Sequence, residues 1–189
     1  MNEPLKLIIA GPVGAGKTTF IHNLSDIETV NTDVVASEDL GKEFTTVAMD
    51  YGLMTLADVP LHLYGTPGQD RFDFMWEVLC EGALGLILLI AGNQPNTFSQ
   101  ARNILEFITS RIDVPFMLGV TRSDSPDSWT AVDVSDYFGL PPEQALPLNA
   151  TQKEGCLLTI MHMLQLASGE APENYHHGFS EIPKNSFPQ

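Results

Sequence analysis

One apolar run that passes directly into a glycine-rich octapeptide constrains this sequence more than any other feature. Leu5 to Ala10 predicts a buried strand, GPVGAGKT follows at positions 11–18, and Lys17 to Leu24 then has a helical pattern. Glycines at these spacings let backbone N–H groups turn inward around phosphate oxygens, and the start of the helix adds its positive dipole end. The segment therefore predicts a phosphate-binding loop for a nucleoside triphosphate.

The loop residues divide into charged, metal-binding and backbone donors. The Lys17 ammonium group is expected at the β- and γ-phosphates, and the Thr18 hydroxyl is expected to ligate Mg²⁺. The residues expected to contact nucleotide here are Gly11, Val13, Gly14, Ala15, Gly16, Lys17, Thr18 and Thr19. A glycine-rich turn that binds nothing is the alternative, and the flanking strand and helix disfavour it. ATPases and nucleotide kinases share the loop, so the base has to be inferred elsewhere.

Apolar runs alternate with amphipathic stretches along the chain. This predicts an α/β fold, with a mostly parallel six-stranded sheet, one antiparallel pairing and helices on both faces. The predicted strands are 5–10, 44–51, 59–64, 84–91, 116–121 and 145–148, with a turn around 54–58. The predicted helices are 17–24, 72–82, 98–111 and 151–166. We expect one domain over residues 1–167 and a mobile tail over 168–189, which is rich in Pro, Gly, Asn and Ser.

Charge and composition exclude several function classes. The net charge of -15 disfavours nucleic acid and unaided binding to an anionic membrane, and leaves steering towards a basic partner as a lesser possibility. No signal peptide or apolar run long enough to span a bilayer is visible, so a cytoplasmic location without membrane insertion is expected. Cys80 and Cys156, the only cysteines, are expected to be free buried thiols.

Two short motifs after predicted strands bear on the base. They are TRSD at positions 121–124 and NAT at 149–151, and the residues expected to bind nucleotide here are Thr121, Arg122, Asp124, Asn149, Ala150 and Thr151. A carboxylate such as Asp124 accepts two N–H bonds from guanine, a pair that adenine cannot supply. The motifs resemble the base-reading motifs of Ras-like GTPases, which implies that Arg122 lies over the base and that Ala150 donates to the guanine carbonyl. Guanine is therefore predicted over adenine.

The segment GTPGQDRF at positions 65–72 resembles the second switch of Ras-like proteins. The resemblance implies that Gly68 donates its N–H to the γ-phosphate and that Gln69 orients the attacking water. Gly65 departs from the pattern, because most relatives have there an aspartate that holds the Mg²⁺ shell. The departure predicts either weaker metal binding or compensation by Asp50 or another residue.

The first switch is expected between Ser25 and Glu43, where six acidic residues and one lysine predict a mobile stretch. Thr45 and Thr46 open the next strand. One of the two is expected to meet Mg²⁺ and the γ-phosphate when GTP is bound, and Thr46 is favoured by its distance from the strand. The predicted catalytic residues are Gln69, Lys17 and Thr46, and the predicted metal ligands are Thr18 and Thr46.

Slow intrinsic turnover is expected because of Val13 and Gly65. Val13 fills the loop position where Ras has glycine and where a bulkier side chain crowds Gln69. None of the arginines lies in the first switch, so the arginine that stabilises the transition state is expected from a partner in trans, a contribution of about a thousandfold or more.

With the phosphate loop, TTVAMDYG, GTPGQDRFDFMW and TRSD in hand, the chain resembles bacterial Ras-like small GTPases related to the MglA and conservon-type proteins. The resemblance covers residues 5–167. It implies a GTP/GDP switch in signalling, with GTP or GDP and Mg²⁺ as ligands and a roadblock-type protein as regulator. A GTP-binding scaffold that barely hydrolyses is the first alternative, and a nucleotide kinase or ATPase that shares only the loop is the second.

Overall fold

The computed structural model describes residues 5–36, 45–67 and 79–169. The strands are β1 (Leu5–Ala10), β2 (Val30–Ala36), β3 (Thr45–Leu56), β4 (Val59–Gly65), β5 (Gly85–Ala91), β6 (Phe116–Thr121) and β7 (Ala145–Leu148). The α-helices are α1 (Lys17–Leu24), α2 (Phe98–Thr109), α3 (Ala131–Phe138) and α4 (Lys153–Ser168). Short 3₁₀ turns at Pro95–Thr97 and Pro142–Gln144 precede α2 and β7.

The strands form one mixed sheet in the order β2-β3-β4-β1-β5-β6-β7. β1 pairs in parallel with β4 and β5, and β5-β6 and β6-β7 are also parallel. β3 pairs antiparallel with β2 and β4. The α/β class and the mostly parallel sheet are thus confirmed, and the carboxyl ends of β1, β5, β6 and β7 lie along one edge, where α/β proteins bind ligands.

Both faces of the sheet are covered, as predicted. Alternate β1 residues point to opposite faces: Leu7 packs in the core beneath α1 and α4, and Ile8 packs in the core beneath α2 and α3. Every residue of β5 is buried, which explains its unbroken apolar sequence GLILLIA. The sheet is therefore a rigid platform for the loops at its edge.

The described residues form seven strands, where the sequence predicted six. The additional strand, β2, lies in the stretch that was expected to be mobile, and its Val34 pairs with Val47 of β3 at the edge of the sheet. Its sequence, VNTDVVA, is rich in β-branched residues, and this strand propensity outweighs the acidic composition of the surrounding stretch. The pairing of β2 also makes two antiparallel pairings in place of the one predicted. Residues 37–44 lie outside the described residues.

Two further differences concern turns and a helix. β3 extends to Leu56, so the predicted turn at 54–58 narrows to Ala57 and Asp58, which have φ values of 49° and 64°. This pair of left-handed residues suits a two-residue hairpin.

The sequence did not predict α3, a short helix that begins with a capping box between Thr130 and Asp133. The predicted helix 72–82 is helical at Leu79 and Cys80, and its residues 72–78 lie outside the described residues, as do residues 170–189 of the predicted tail.

Cys80 and Cys156 are free and buried, as expected. Burial raises the pKa of each thiol to about 11, so both stay protonated at neutral pH.

Candidate nucleotide-binding site

The loop between β1 and α1 has the shape of a phosphate cradle. Gly11, Gly14 and Gly16 have φ values of 144°, 81° and 101°, a region that favours glycine. A side chain at Gly11 would also collide with the main-chain oxygen of Leu89. Among the described residues, no side chain caps the N-terminus of α1, so the first N–H groups of this helix are free to bind an anion.

Lys17 is folded back onto the loop that precedes it. Its Nζ donates to the carbonyl oxygens of Gly11 at 2.7 Å and Pro12 at 2.8 Å. Burial lowers the pKa of this ammonium group to about 8, and the negative charge of Asp50 partly offsets that effect. Because its two hydrogen-bond acceptors are neutral carbonyl oxygens, the charge of Lys17 is only partly balanced. Phosphate oxygens would supply the missing negative charge.

Thr18, the predicted metal ligand, is joined to Asp50 of β3. The Thr18 hydroxyl donates to Oδ2 of Asp50 at 2.6 Å. Asp50 is half-buried, and its carboxylate lies beside the last residue of the phosphate loop, Thr18. The sequence raised Asp50 as a residue that could compensate for Gly65, and the contact with Thr18 gives that suggestion a structural basis.

Gly52 of β3 and Gly65 of β4 allow α1 to pack closely against these two strands. A Cβ atom added at Gly52 would lie 2.7 Å from Cγ2 of Ile21, and one added at Gly65 would lie 2.8 Å from Cδ1 of the same side chain. The Cβ at Gly65 would also lie 3.0 Å from the Cβ of Asp50. Position 65 therefore has no room for a carboxylate while Asp50 occupies the space beside it.

The base-reading motifs meet the phosphate loop. Thr121, which is 2% exposed, donates its hydroxyl to the carbonyl oxygen of Ala15 at 2.9 Å. A Cβ added at Gly16 would lie 3.5 Å from Cβ of Ala150 and 3.6 Å from Cγ2 of Thr121. Motifs more than a hundred residues apart in sequence are thus in contact.

The NAT loop is held by its own side chains and by α1. Oδ1 of Asn149 accepts from the backbone N–H of Thr151 at 3.0 Å and from its hydroxyl at 2.7 Å. The side-chain amide of Asn23 donates to the carbonyl oxygen of Ala150 at 2.5 Å. The sequence did not single out Asn23, because an asparagine in a helix carries no signal of a contact across the fold.

Arg122, Asp124, Val13 and Thr19 are all exposed. Arg122 has a φ of 57°, which turns the chain sharply after β6. The described residues therefore bring TRSD and NAT to the phosphate loop through Thr121 and Ala150.

The other predicted positions are described only in part or not at all. Thr46 pairs with Val35 across β2 and β3. Gly68 and Gln69 lie outside the described residues.

The residues present fit Mg²⁺, which a nucleotide site of this kind implies. Magnesium prefers oxygen ligands and usually takes one or two from the protein, with phosphates and water completing the shell. Thr18 and Asp50 offer a hydroxyl and a carboxylate side by side. The described ranges contain no cluster of three or more His, Cys, Asp or Glu side chains that could hold a metal without a nucleotide.

Comparison with known proteins agrees with this geometry. The sequence model of a family described as conserved hypothetical ATP binding proteins matches residues 28–153, more than half of the chain. The chain belongs to this family. It is therefore a member of a nucleotide-binding family, although residues 28–153 do not include the phosphate loop itself.

Individual relatives show the fold. An uncharacterized protein of Methanocaldococcus jannaschii is 27% identical over 158 residues, which cover 82% of this chain and 91% of that protein. The Ras-related protein RABE1e of Arabidopsis thaliana is 25% identical over 75% of this chain and 63% of its own length. The small GTPase Arl6 BBS3 of Trypanosoma brucei, solved with the nucleotide analogue GppNp, superposes with a TM-score of 0.64 at 16% identity, over 89% of this chain and all of that one. The fold is thus that of Ras-like small GTPases.

None of the helices in the described ranges is both long and apolar enough to cross a membrane.

Proposed function

We propose that this protein binds GTP with Mg²⁺ and hydrolyses it slowly, as a GTP/GDP switch whose activity depends on a partner. The observation that carries the proposal is that both base-reading motifs reach the phosphate loop: Thr121 donates to the carbonyl oxygen of Ala15, and Ala150 lies where a Cβ added at Gly16 would touch it. This juxtaposition allows one nucleotide to reach the loop with its phosphates and Asp124 with its base.

Each group in the proposed site has a separate task. Lys17 would move from the carbonyl oxygens of Gly11 and Pro12 to the β- and γ-phosphates. Thr18 and Asp50 would hold Mg²⁺, and Thr46 would join them when GTP is bound. Asp124 accepts from the guanine edge, Arg122 covers the base and Ala150 donates its N–H. Mg²⁺ supplies charge neutralisation at the phosphates. Gln69 orients the attacking water and Gly68 contacts the γ-phosphate.

The proposed regulation by a partner rests on the sequence resemblance and on the lack of an arginine in the first switch, residues 25–43. The sequence resembles the MglA and conservon-type GTPases, which supports a roadblock-type regulator and a role in signalling. Val13, which is 64% exposed on the phosphate loop, supports slow turnover by the protein alone. We further propose a single GTP-binding domain over residues 1–167, with 168–189 as a mobile tail, in a cytoplasmic protein.

ATP is the second candidate nucleotide, because the family is described as ATP-binding. Adenine lacks the pair of N–H donors that an aspartate accepts, so Asp124 favours GTP. A scaffold that binds GTP without hydrolysing it is the other alternative, and it differs from the proposal only in rate.

The deciding experiment is single-turnover hydrolysis of GTP and ATP by the purified protein with Mg²⁺. Slow GTP cleavage with inert ATP supports the proposal. GTP binding without cleavage supports the scaffold, and ATP turnover overturns the base assignment. The Asp124→Asn variant tests the base assignment directly. It should prefer xanthosine triphosphate to GTP, and its binding of ATP should equal that of the wild type. Unchanged GTP affinity in this variant would remove Asp124 from the site.

A further inference from the structure

The peptide unit between Ala150 and Thr151 is held at both of its polar atoms. Its carbonyl oxygen accepts from the side-chain amide of Asn23 at 2.5 Å, and its N–H donates to Oδ1 of Asn149 at 3.0 Å. A carbonyl oxygen can only accept, so Asn23 must present its NH₂ group here. Because a peptide unit is planar, this one cannot rotate without breaking one of the two hydrogen bonds.

The two side chains that hold this peptide unit differ in where they come from. Asn149 belongs to the NAT loop itself, so its hydrogen bond fixes the local turn wherever the loop lies. Asn23 lies 127 residues before Ala150, near the carboxyl end of the helix α1 that begins at Lys17. The hydrogen bond from Asn23 therefore ties the NAT loop to the helix that follows the phosphate loop.

The contact between α1 and the NAT loop is shielded from solvent. Ala150 is 8% exposed, and Cys156, whose Sγ lies 3.6 Å from the same carbonyl oxygen, is fully buried. Burial raises the pKa of the Cys156 thiol to about 11, so the thiol stays protonated at neutral pH, and an S–H group is only a weak donor. Loss of the Asn23 amide would therefore leave a buried carbonyl oxygen without a strong hydrogen bond.

The backbone N–H of Ala150 is free to serve a ligand, since no described residue accepts from it. It belongs to the peptide unit just before the one that Asn23 holds, so a restraint on the second unit also limits the first. In the proposed function this N–H donates to the carbonyl oxygen of guanine. The strength of such a hydrogen bond depends on its direction, which makes the orientation of the NAT loop matter for the base.

We propose that Asn23 is a positioning residue that sets how strongly the site prefers a purine with a carbonyl oxygen. Its amide holds the Ala150–Thr151 peptide unit and thereby keeps the Ala150 N–H directed at that oxygen. The inference rests on the proposed function, because it requires guanine to lie between Asp124 and Ala150. It adds a determinant of base preference on α1, outside both base-reading motifs.

The test measures the binding of three diphosphates, which cannot undergo γ-phosphate hydrolysis, to the full-length protein with Mg²⁺. They are GDP, 6-thio-GDP and inosine diphosphate. 6-Thio-GDP has sulfur, a weaker acceptor, in place of the carbonyl oxygen, and it keeps both N–H groups that would face Asp124. Inosine diphosphate keeps the oxygen and lacks the amino group. Calorimetry therefore gives two affinity ratios, an oxygen ratio of GDP to 6-thio-GDP and an amino ratio of GDP to inosine diphosphate.

Asn23→Leu keeps the approximate volume of the side chain and removes its donor. The wild-type oxygen ratio should be about ten, and in this variant it should fall to about two, while the amino ratio stays as in the wild type. His22→Leu is the matched control, because His22 is the exposed neighbour on α1 and its Nδ1 lies 3.4 Å from Oγ1 of Thr29. It should keep both ratios.

Two further variants guard against misfolding of Asn23→Leu. Asn23→Ser, whose hydroxyl is one bond short of the amide nitrogen, should lower the oxygen ratio as Asn23→Leu does. Asn23→Gln restores an amide on a longer side chain and should recover part of the ratio. Thermal unfolding of each variant without nucleotide checks the fold.

A loss of affinity by one common factor for all three nucleotides in Asn23→Leu would overturn the inference and leave the proposed function standing, since it would describe a purely structural role. Equal oxygen ratios in Asn23→Leu and His22→Leu would also overturn it. A wild-type protein that binds no GDP, or that binds 6-thio-GDP as tightly as GDP, would remove the proposed contact of Ala150 with the base and the inference with it.

Discussion

The hydroxyl of Thr18 donates to Oδ2 of Asp50 at 2.6 Å, and this bond joins the phosphate loop to a strand 32 residues further along the chain. It places a carboxylate beside the proposed metal ligand in a chain that has glycine at position 65. The glycines at 52 and 65 make the contact possible, because they let Ile21 and the start of α1 approach β3 and β4.

Asp50→Asn should weaken Mg²⁺ binding in the presence of nucleotide about 10–100-fold, because an amide keeps the hydrogen bond from Thr18 but loses the negative charge. The measurement is a Mg²⁺ titration of the protein with a fluorescent GTP analogue. Asp58→Asn, in the exposed β3–β4 turn, is the matched control. Thermal unfolding without nucleotide should be similar in both variants, so a selective loss of Mg²⁺ affinity would not reflect misfolding. Identical titrations of the two variants would refute a role for Asp50.

Introducing an aspartate at position 65 should harm this protein. Gly65→Asp crowds the Cβ of Asp50 and the side chain of Ile21, and it sets two carboxylates side by side, so it should cost about 2–3 kcal/mol of stability. Denaturant unfolding measures the effect. The double variant Gly65→Asp, Asp50→Gly should recover part of the stability, because it removes the neighbouring side chain. A Gly65→Asp protein as stable as the wild type would show that the space is not limiting.

Lys17→Met should stabilise the nucleotide-free protein and abolish nucleotide binding. The pKa of Lys17 falls from 10.5 to about 8 on folding, so the folded protein binds fewer protons than the unfolded chain between these pH values. The cost of burying the charged form is therefore largest below pH 8 and fades as the pH rises towards 10.5. Lys17→Met should gain about 1–2 kcal/mol at pH 7, less than the pKa shift alone implies, because two hydrogen bonds to carbonyl oxygens are lost.

The measurement is the free energy of unfolding of both proteins at pH 7 and at pH 10. The advantage of Lys17→Met should be larger at pH 7. A variant less stable than the wild type at pH 7 would show that the two hydrogen bonds outweigh the desolvation of the charge.

Thr121→Val should lower both stability and GTP affinity. It keeps the shape of the side chain but leaves the carbonyl oxygen of Ala15 without its hydroxyl donor, at a cost of about 1–2 kcal/mol. Thr159→Val is a control of equal chemistry, because Thr159 is 1% exposed and its hydroxyl donates to the carbonyl oxygen of Gly155 within α4. Calorimetry with GTP should show weaker binding for Thr121→Val alone. Equal GTP affinities of the Thr121→Val variant and the wild type would show that the hydrogen bond between Thr121 and Ala15 does not contribute to nucleotide binding.

The sequence by itself determined the elements whose signal is local. The octapeptide at 11–18, the apolar runs of β1, β5 and β6, and the amphipathic pattern of α2 each specify their own conformation, and the structure contains all of them. Local pattern failed where two tendencies opposed each other: β2 combines acidic surroundings with β-branched residues, and α3 is too short for its period to stand out.

Only the tertiary structure decided which distant residues meet. Nothing in the spacing of Thr121 and Ala15, or of Asn23 and Ala150, indicates their hydrogen bonds, because each partner lies on a different element and the order of the strands sets the distance between them. The same holds for Asp50, which the sequence offered only as one of several possible substitutes for an aspartate at 65. Its place beside Thr18 follows from the antiparallel register of β3 with β4 and from the close approach of α1 over two glycines, and both are properties of the packed sheet.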